Sequence, residues 1–284
     1  FGYRSQMEDY DYRYGIPRTI TDMNGYTMQY HIDNLGRIDT ITTPNEQSAK
    51  APYTIAYNYM PNQSYAVTNH YDPQHPEDPM QTITHVDGLG RPLQIKKDAM
   101  VATISNGQLT ETPQMIVSGQ VQYDPYGRTV ATYHPTTCSP ADRYTLQTTQ
   151  STQYITKTEY DELDRPVKTT VPTQTGGQDI TTLTYTLEDG KQKTQITDPL
   201  GGTQTTYTDG SRRTRKSQRQ LNGEWIPVHY YYDPIGQLDS LTDAANNTTR
   251  YTYDMSGRKL SVEHPSAGKT TFTYDNCGNV LSKE

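Results

Sequence analysis

Hydrophobic and polar residues alternate along short stretches of this chain with a period of two. Thr249, Tyr251 and Tyr253 fall on one face of one stretch, and Leu260 and Val262 fall on one face of the next. Alternation rich in Tyr, Thr and Val is typical of a β-strand with one half-buried face. No sustained apolar pattern with a period of 3.6 residues is present. The sequence therefore predicts an all-β fold, with one short helix over residues 141–150.

A six-residue motif separates these stretches. Its full form, Tyr-Asp-x-x-Gly-Arg, occupies residues 123–128 and 253–258, and variants begin at residues 32, 86, 160, 232 and 274. The Asp can accept hydrogen bonds from backbone N–H groups further along, and Gly supplies the positive φ that closes a type I turn with a bulge. Each copy therefore predicts a hairpin turn. We expect the Tyr and Arg of one turn, such as Tyr253 and Arg258, to stack across the two strands.

Two further marks complete the repeat. A second turn, Thr-Asp-x-x-Gly/Asn, precedes several copies by 11 residues, with its Asp at 22, 198 and 243. In four copies a proline follows the closing Arg by seven residues: Pro44, Pro135, Pro172 and Pro265. Because proline cannot donate a hydrogen bond to a sheet, each interval from Arg to Pro predicts one strand of about six residues.

The repeat also predicts how the chain is divided. Residues 1–44 carry repeat hairpins, and residues 45–80 form an insertion with an irregular hairpin and a Pro-rich loop. Residues 81–284 carry the remaining array, which we expect to form one continuous sheet. Units of this kind bury one face against their neighbours, so stability should grow with their number.

Composition points to a thin structure with much surface. Hydrophobic residues make up 31% of the chain and the mean hydropathy is −0.91, whereas ordinary domains are about 45–50% apolar. The 25 tyrosines argue against disorder and suit a sheet with one wet face. A net charge of −7 disfavours nucleic acid as a partner. No apolar run approaches the roughly 18 residues that a membrane helix requires.

Candidate chemistry is sparse. His70 and His75 flank acidic residues and suit a zinc-type site, but a polar loop is the favoured interpretation. The turn aspartates invite a calcium interpretation, yet an EF-hand loop is absent and turn capping accounts for them. Five basic residues between 211 and 219 are interpreted as a solvated strand face rather than an anion-binding patch. Cys138 and Cys277 are not expected to pair. The sequence thus predicts no catalytic, cofactor-binding or metal-binding residue.

The motif copies at Asp33, Asp124 and Asp254, together with the Thr-Asp-x-x-Gly turns, resemble the YD repeats of RHS proteins. Residues 86–94 also resemble the shell-forming B and C components of insecticidal Tc toxin complexes. The resemblance implies antiparallel hairpins stacked into a twisted, curved sheet that forms part of an RHS-type β-shell. Self-cleaving family members carry two Asp-Pro-x-Gly runs close together, whereas those at Asp124, Asp198 and Asp233 are far apart. We interpret all three as ordinary turns.

The function implied is structural and not enzymatic. The chain is expected to be a segment of a longer secreted or cell-surface bacterial protein whose shell encloses or presents an exported toxin domain. Its partners would be the rest of the parent polypeptide and an enclosed C-terminal toxin domain. The main alternative is a cell-surface module that binds carbohydrate or protein through exposed tyrosines. A hydrolase within residues 45–80 is the third alternative.

Overall fold

The protein is described by a computed structural model that covers residues 4–105, 108–148 and 154–284. The chain forms two compact units, residues 1–156 and 157–284. Strands pair in antiparallel fashion in both units, which confirms the predicted all-β hairpin fold. The four intervals from Arg to Pro each contain one strand, as predicted.

The first unit contains twelve described strands, a short helix and two single-turn 3₁₀ segments. The strands are β1 (Gln6–Asp11), β2 (Ile16–Thr21), β3 (Thr27–Ile32), β4 (Ile38–Thr42), β5 (Ile55–Met60), β6 (Tyr65–His70), β7 (Met80–Val86), β8 (Pro92–Ser105), β9 (Gln108–Ser118), β10 (Val121–Tyr123), β11 (Thr129–Tyr133) and β12 (Thr136–Cys138). The helix α1 spans Pro44–Ala49, and the 3₁₀ segments span Pro61–Gln63 and Pro140–Asp142.

Ten strands of this unit form one sheet in the order β1 to β9 followed by β12. Strands β10 and β11 pair with each other outside it, so the strands after residue 81 do not all join one continuous sheet, contrary to the sequence prediction. The reason lies at the end of β9. Gly119 turns the chain away with φ +60°, and β12 returns to pair with β9, with Thr136 opposite Val117.

The helix content was placed incorrectly by sequence. The predicted helix over residues 141–150 is only the 3₁₀ turn Pro140–Asp142 followed by irregular chain, and residues 149–150 lie outside the described part. Among the described residues, the α-helix starts instead at Pro44, a residue predicted to end a strand. Both roles are compatible, because a proline lacks the N–H that the first helical turn leaves unpaired.

The core of the first unit is a small cluster on one face of its sheet. Cross-strand register places its members on that face of β6, β7, β9 and β12. The buried side chains are Val67, Ile83, Met115, Val117 and Cys138.

The second unit consists of strands that pair in chain order. They are β13 (Ile155–Tyr160), β14 (Pro166–Pro172), β15 (Gln178–Glu188), β16 (Lys191–Thr197), β17 (Thr203–Thr208), β18 (Thr214–Leu221), β19 (Glu224–Tyr232), β20 (Leu238–Thr242), β21 (Thr248–Tyr253), β22 (Lys259–His264), β23 (Gly268–Tyr274) and β24 (Val280–Lys283). Apart from Tyr207, its buried residues carry small hydroxyl side chains: Thr170, Thr205, Ser240, Thr249 and Ser261. Hydroxyl groups also pair across strands, as Thr252 does with Ser261 at 2.8 Å.

Candidate functional site

The repeated turn has a closed hydrogen-bond network, which the copy at Asp254 illustrates. The backbone N–H of Asp254 donates to the carbonyl of Arg258 at 2.9 Å, and the N–H of Gly257 donates back to the carbonyl of Asp254 at 3.0 Å. The Oδ1 atom of Asp254 accepts from the N–H groups of Ser256 and Arg258, each at 2.9 Å. Gly257 has φ +81°, and the strand register shifts beside the turn. The predicted bulged turn is thereby confirmed.

The second carboxylate oxygen of the turn aspartate holds the closing arginine. Arg258 donates from Nε to Oδ2 of Asp254 at 2.6 Å. The same pair recurs in five other turns: Asp33–Arg37, Asp87–Arg91, Asp124–Arg128, Asp161–Arg165 and Asp209–Arg213. The backbone N–H and then the guanidinium of Arg258 hold the pKa of Asp254 below its ordinary value. The carboxylate therefore stays ionised and keeps the arginine in place.

Five of the closing arginines also contact a tyrosine in a later hairpin. The guanidinium of Arg258 lies 5.2 Å from the ring centre of Tyr274, and the hydroxyl of Tyr274 donates to the carbonyl of Lys259 at 2.7 Å. We call this pair of contacts the latch. Four further latches have ring distances of 4.1 to 5.4 Å: Arg37–Tyr59, Arg91–Tyr123, Arg165–Tyr185 and Arg213–Tyr232. In every one the tyrosine hydroxyl donates to the carbonyl of the residue that follows the arginine.

The predicted stacking of Tyr253 on Arg258 within one turn is wrong. The bulge places Tyr253 opposite Lys259 rather than opposite Arg258. The Tyr253 hydroxyl instead donates to the carbonyl of Leu238 at 3.0 Å, in the preceding hairpin. Tyr253 thus contacts the preceding hairpin, and Arg258 contacts the following one. Both residues belong to the predicted motif, but their contacts run between hairpins rather than within one.

The basic residues over 211–219 were interpreted as a solvated strand face, but two of them make internal contacts in the structure. Arg213 and Arg215 both donate to Oδ2 of Asp209, at 3.1 and 2.7 Å. The backbone N–H of Arg213 and then the Arg215 guanidinium lower the pKa of Asp209 to about 2. Both arginines also lie within 5.4 Å of the ring centre of Tyr232. The position of Asp209, two residues before the stretch, was the signal in the sequence for these internal contacts.

The remaining sequence candidates occupy turns or stand alone. His75 pairs with Asp72 at 2.9 Å, and this contact lowers the pKa of Asp72. Over residues 4–105, 108–148 and 154–284 the structure contains no cluster of three or more His, Cys, Asp or Glu side chains arranged to hold a metal ion. The Asp-Pro-x-Gly runs at Asp124, Asp198 and Asp233 form ordinary turns, as interpreted. Cys138 and Cys277 are free thiols.

Comparison with known proteins agrees with this geometry. Residues 232–269 match the family model of the RHS repeat. No curated protein matches the sequence. Within the described part of the chain, no helix has the length and apolarity needed to cross a bilayer.

Solved structures give a broader match. A crystal structure of TcdB2-TccC3 superposes with a TM-score of 0.72 at 19% identity, over 98% of this chain and 17% of that chain. TcdB2-TccC3-Cdc42 gives a TM-score of 0.71 at 17% identity, over 98% of this chain and 19% of that chain. The Photorhabdus luminescens Tc holotoxin pore gives 0.69 at 16% identity, over 98% and 19%. The TM-scores show a shared fold, and the chain spans less than a fifth of the length of the matched chains.

Proposed function

We propose that this chain, which carries an RHS repeat at residues 232–269, is a non-catalytic wall segment of an RHS-type shell that encloses an exported toxin or effector domain. The latch is the observation that supports this proposal. The latch at Arg258 requires Tyr274, which belongs to the following hairpin. The same relation recurs from Arg37 to Arg258, in both units.

A latch between successive hairpins favours a role as continuous wall. Repeats that contact mainly their neighbours gain stability as units are added, and no single hairpin buries enough apolar surface alone. The second unit shows this in its buried residues, which are mostly Thr and Ser. We infer that backbone hydrogen bonds between neighbouring strands and the latches hold this unit together, and both can be repeated in any number of copies. The function proposed for such an array is mechanical enclosure.

The partners proposed are accordingly the rest of a parent polypeptide and a C-terminal cargo domain. The matched chains are more than five times as long as this one, which leaves room for further repeats and for cargo. Two of the matched structures are TcdB2-TccC3 and TcdB2-TccC3-Cdc42. Export from the cell is part of the same proposal, by analogy with toxin components.

Protease protection of the cargo tests this function. The parent polypeptide and its C-terminal domain expressed alone would be digested in parallel. Cleavage of the C-terminal domain would be followed by mass spectrometry in both samples. We expect the domain to be cut at least about tenfold more slowly within the parent polypeptide. A parent variant with Tyr→Phe at the five latch tyrosines keeps every ring but removes every latch hydroxyl, and it should lose part of the protection. Equal cleavage rates for the free and the attached domain would contradict enclosure.

A surface-binding module is the second candidate, and one observation favours it. Trp225 and Tyr231 lie on the same face of β19 and are 42% and 50% exposed. Exposed aromatic rings can stack on sugar rings. Glycan-array binding by the intact chain that disappears in both Trp225→Ala and Tyr231→Ala would favour this module over the wall.

A further inference from the structure

A histidine is buried on the core face of the first unit, and one of its ring nitrogens lacks a hydrogen bond. His85, on β7, is 3% exposed, and its Nε2 atom has no partner among the described residues. Its ring centre lies 5.5 Å from that of Tyr65 on the neighbouring strand β6. Burial of a polar atom without a partner costs free energy, and the cost is far greater when the group is charged. The surroundings of His85 therefore favour its neutral form.

A buried cation lies beside this histidine. Strand register places Gln94 of β8 opposite His85, and Lys96 follows two residues later on the same face. Diagonal neighbours of this kind are about 7–8 Å apart. Lys96 is fully buried, and its Nζ atom donates to the carbonyl oxygens of Asp142 and Thr145 at 2.7 and 2.6 Å. These carbonyl groups stabilise the charged amine, so the face already carries one positive charge.

Residues 139–148 lie over this part of the face. The ring of Tyr144 stacks on Tyr65 with 5.6 Å between ring centres. Gln94 accepts from the backbone N–H of Gln147 at 3.0 Å. Together with the two carbonyl groups that bind the buried lysine, these contacts hold the segment against β6 and β8. The segment therefore separates both buried basic side chains from water.

The other charged groups nearby do not pair with the histidine. Asp98, further along the same face of β8, accepts from the backbone N–H of Gln81 at 2.7 Å. In the covering segment, Arg143 donates to Oε1 of Gln81 at 2.8 Å, and Asp142 is exposed. The remaining titratable groups packed on this face are two tyrosines and Cys138. Tyrosine and cysteine side chains are uncharged in acid, so they cannot offset a new positive charge there.

A proton on His85 would place a second positive charge on the closed face. Burial first, and the charge of Lys96 second, hold the pKa of His85 below its ordinary value. Once the face is opened to water, the imidazole takes up a proton near its ordinary pKa of about 6.5. The closed form is therefore fully stable above about pH 6.5 and loses stability as the pH falls below that value.

We propose that His85 and Lys96 form an acid-sensitive switch, which opens the core face of the first unit by releasing residues 139–148 from β8. The closed form holds one buried positive charge, whereas the open form exposes two positive charges to water. The switch is built into the first unit alone and does not depend on enclosure of a cargo. Failure of the switch is therefore distinguishable from failure of the proposed wall function.

Hydrogen exchange of the full-length chain at pH 7.5 and pH 5.0 tests the switch. The rates would be corrected for the intrinsic effect of pH on exchange, and peptides from the second unit provide the internal reference. We expect the protection of residues 139–148 to fall by at least about fivefold at pH 5.0. A single proton bound only in the open form sets an upper limit of about thirtyfold.

Two glutamine variants separate the buried histidine from the others. His85→Gln keeps a polar side chain of similar size that cannot gain a proton, so its protection over residues 139–148 should change by less than about twofold between the two pH values. His70→Gln is the matched control, because His70 is a partly exposed histidine of the same sheet. This variant should lose protection in acid as the wild-type chain does.

Unchanged protection of residues 139–148 in the wild-type chain at pH 5.0 would overturn the proposal. An equal loss of protection in His85→Gln would also overturn it, since another group would then carry the pH dependence. If His85→Gln does not fold, His85→Leu takes its place, because leucine also lacks a titratable group. The wild-type comparison can refute the switch without either variant.

Discussion

Replacing Gly257 by valine tests the turn at the centre of the repeat. Gly257 has φ +81°, a backbone region that residues with a Cβ atom adopt only at a cost of roughly 1–2 kcal/mol. Its neighbour Ser256 is exposed and does not have a positive φ. Gly257→Val should therefore destabilise the second unit, and Ser256→Val should change its stability by no more than about 0.5 kcal/mol.

The magnitude follows from conformation rather than from crowding. A Cβ atom added at Gly257 would meet only Nε2 of Gln237, at 3.4 Å, which is the end of a flexible side chain. The reduced freedom of the unfolded chain offsets about 0.4–1 kcal/mol of the strain, but a β-branched residue is strained more than most. The net loss should be about 1 kcal/mol. For a unit of this size, that lowers the melting temperature by about 3–8 °C.

Thermal melts followed by circular dichroism at 218 nm measure this difference. Gly257→Asn is a matched third variant, because Asn tolerates the left-handed region. The chain already places Asn246 there with φ +62° in a Thr-Asp turn. We expect melting temperatures to rank Ser256→Val highest, Gly257→Asn next and Gly257→Val lowest. Equal values for the two valine variants would show that positive φ does not define the turn.

Three further predictions concern the latch and its turn. Tyr274→Phe removes the hydrogen bond from the tyrosine hydroxyl to the carbonyl of Lys259 and should lower the free energy of unfolding, measured by denaturant melts, by about 1 kcal/mol. Tyr231→Phe is the control and should be neutral, since the Tyr231 hydroxyl has no partner among the described residues. Similar losses of stability in the two variants would argue against the latch. Arg212 holds the glycine position of its turn with φ +61°, so Arg212→Gly should raise the melting temperature, and an unchanged or lower value contradicts the strain. The folded-state pKa of Asp209 is about 2, below the unfolded value of roughly 3.9, so the stability that its carboxylate contributes is present above about pH 4 and is lost as the pH falls toward 2. The difference in melting temperature between wild type and Asp209→Asn should therefore shrink over that pH range. A constant difference would refute this prediction.

The strands and turns were predictable because each is set by local chemistry. Asp254 and Gly257 sit at fixed positions relative to each other, so one short motif determines the turn. Pairing of neighbouring hairpins follows directly, since successive strands lie side by side. The same reasoning fails where sequence-distant segments meet. The return of β12 to β9 depends on Gly119 and on which edge is free, and no local motif records that choice.

The latch and the segment over residues 139–148 show the same limit. The motif contains both Tyr253 and Arg258, but the bulge decides which strand each one faces. A helix was predicted over residues 141–150, whereas Lys96 and Gln94 bind the main chain of Asp142 and Gln147 in a 3₁₀ turn and irregular chain. A lysine within a strand pattern gives no sign of burial, because its contacts are carbonyls far along the chain. Long-range polar contacts of this kind have no sequence period.

The spacing within the latch varies along the chain while its geometry stays the same. Tyr59 follows Arg37 by 22 residues, Tyr123 follows Arg91 by 32, and Tyr274 follows Arg258 by 16. The additional residues after Arg91 form the long hairpin of β8 and β9. Because the latches hold neighbouring hairpins together at one end of their strands, the hairpins can lengthen at the other end. Insertions can therefore be accepted there without loss of the latches.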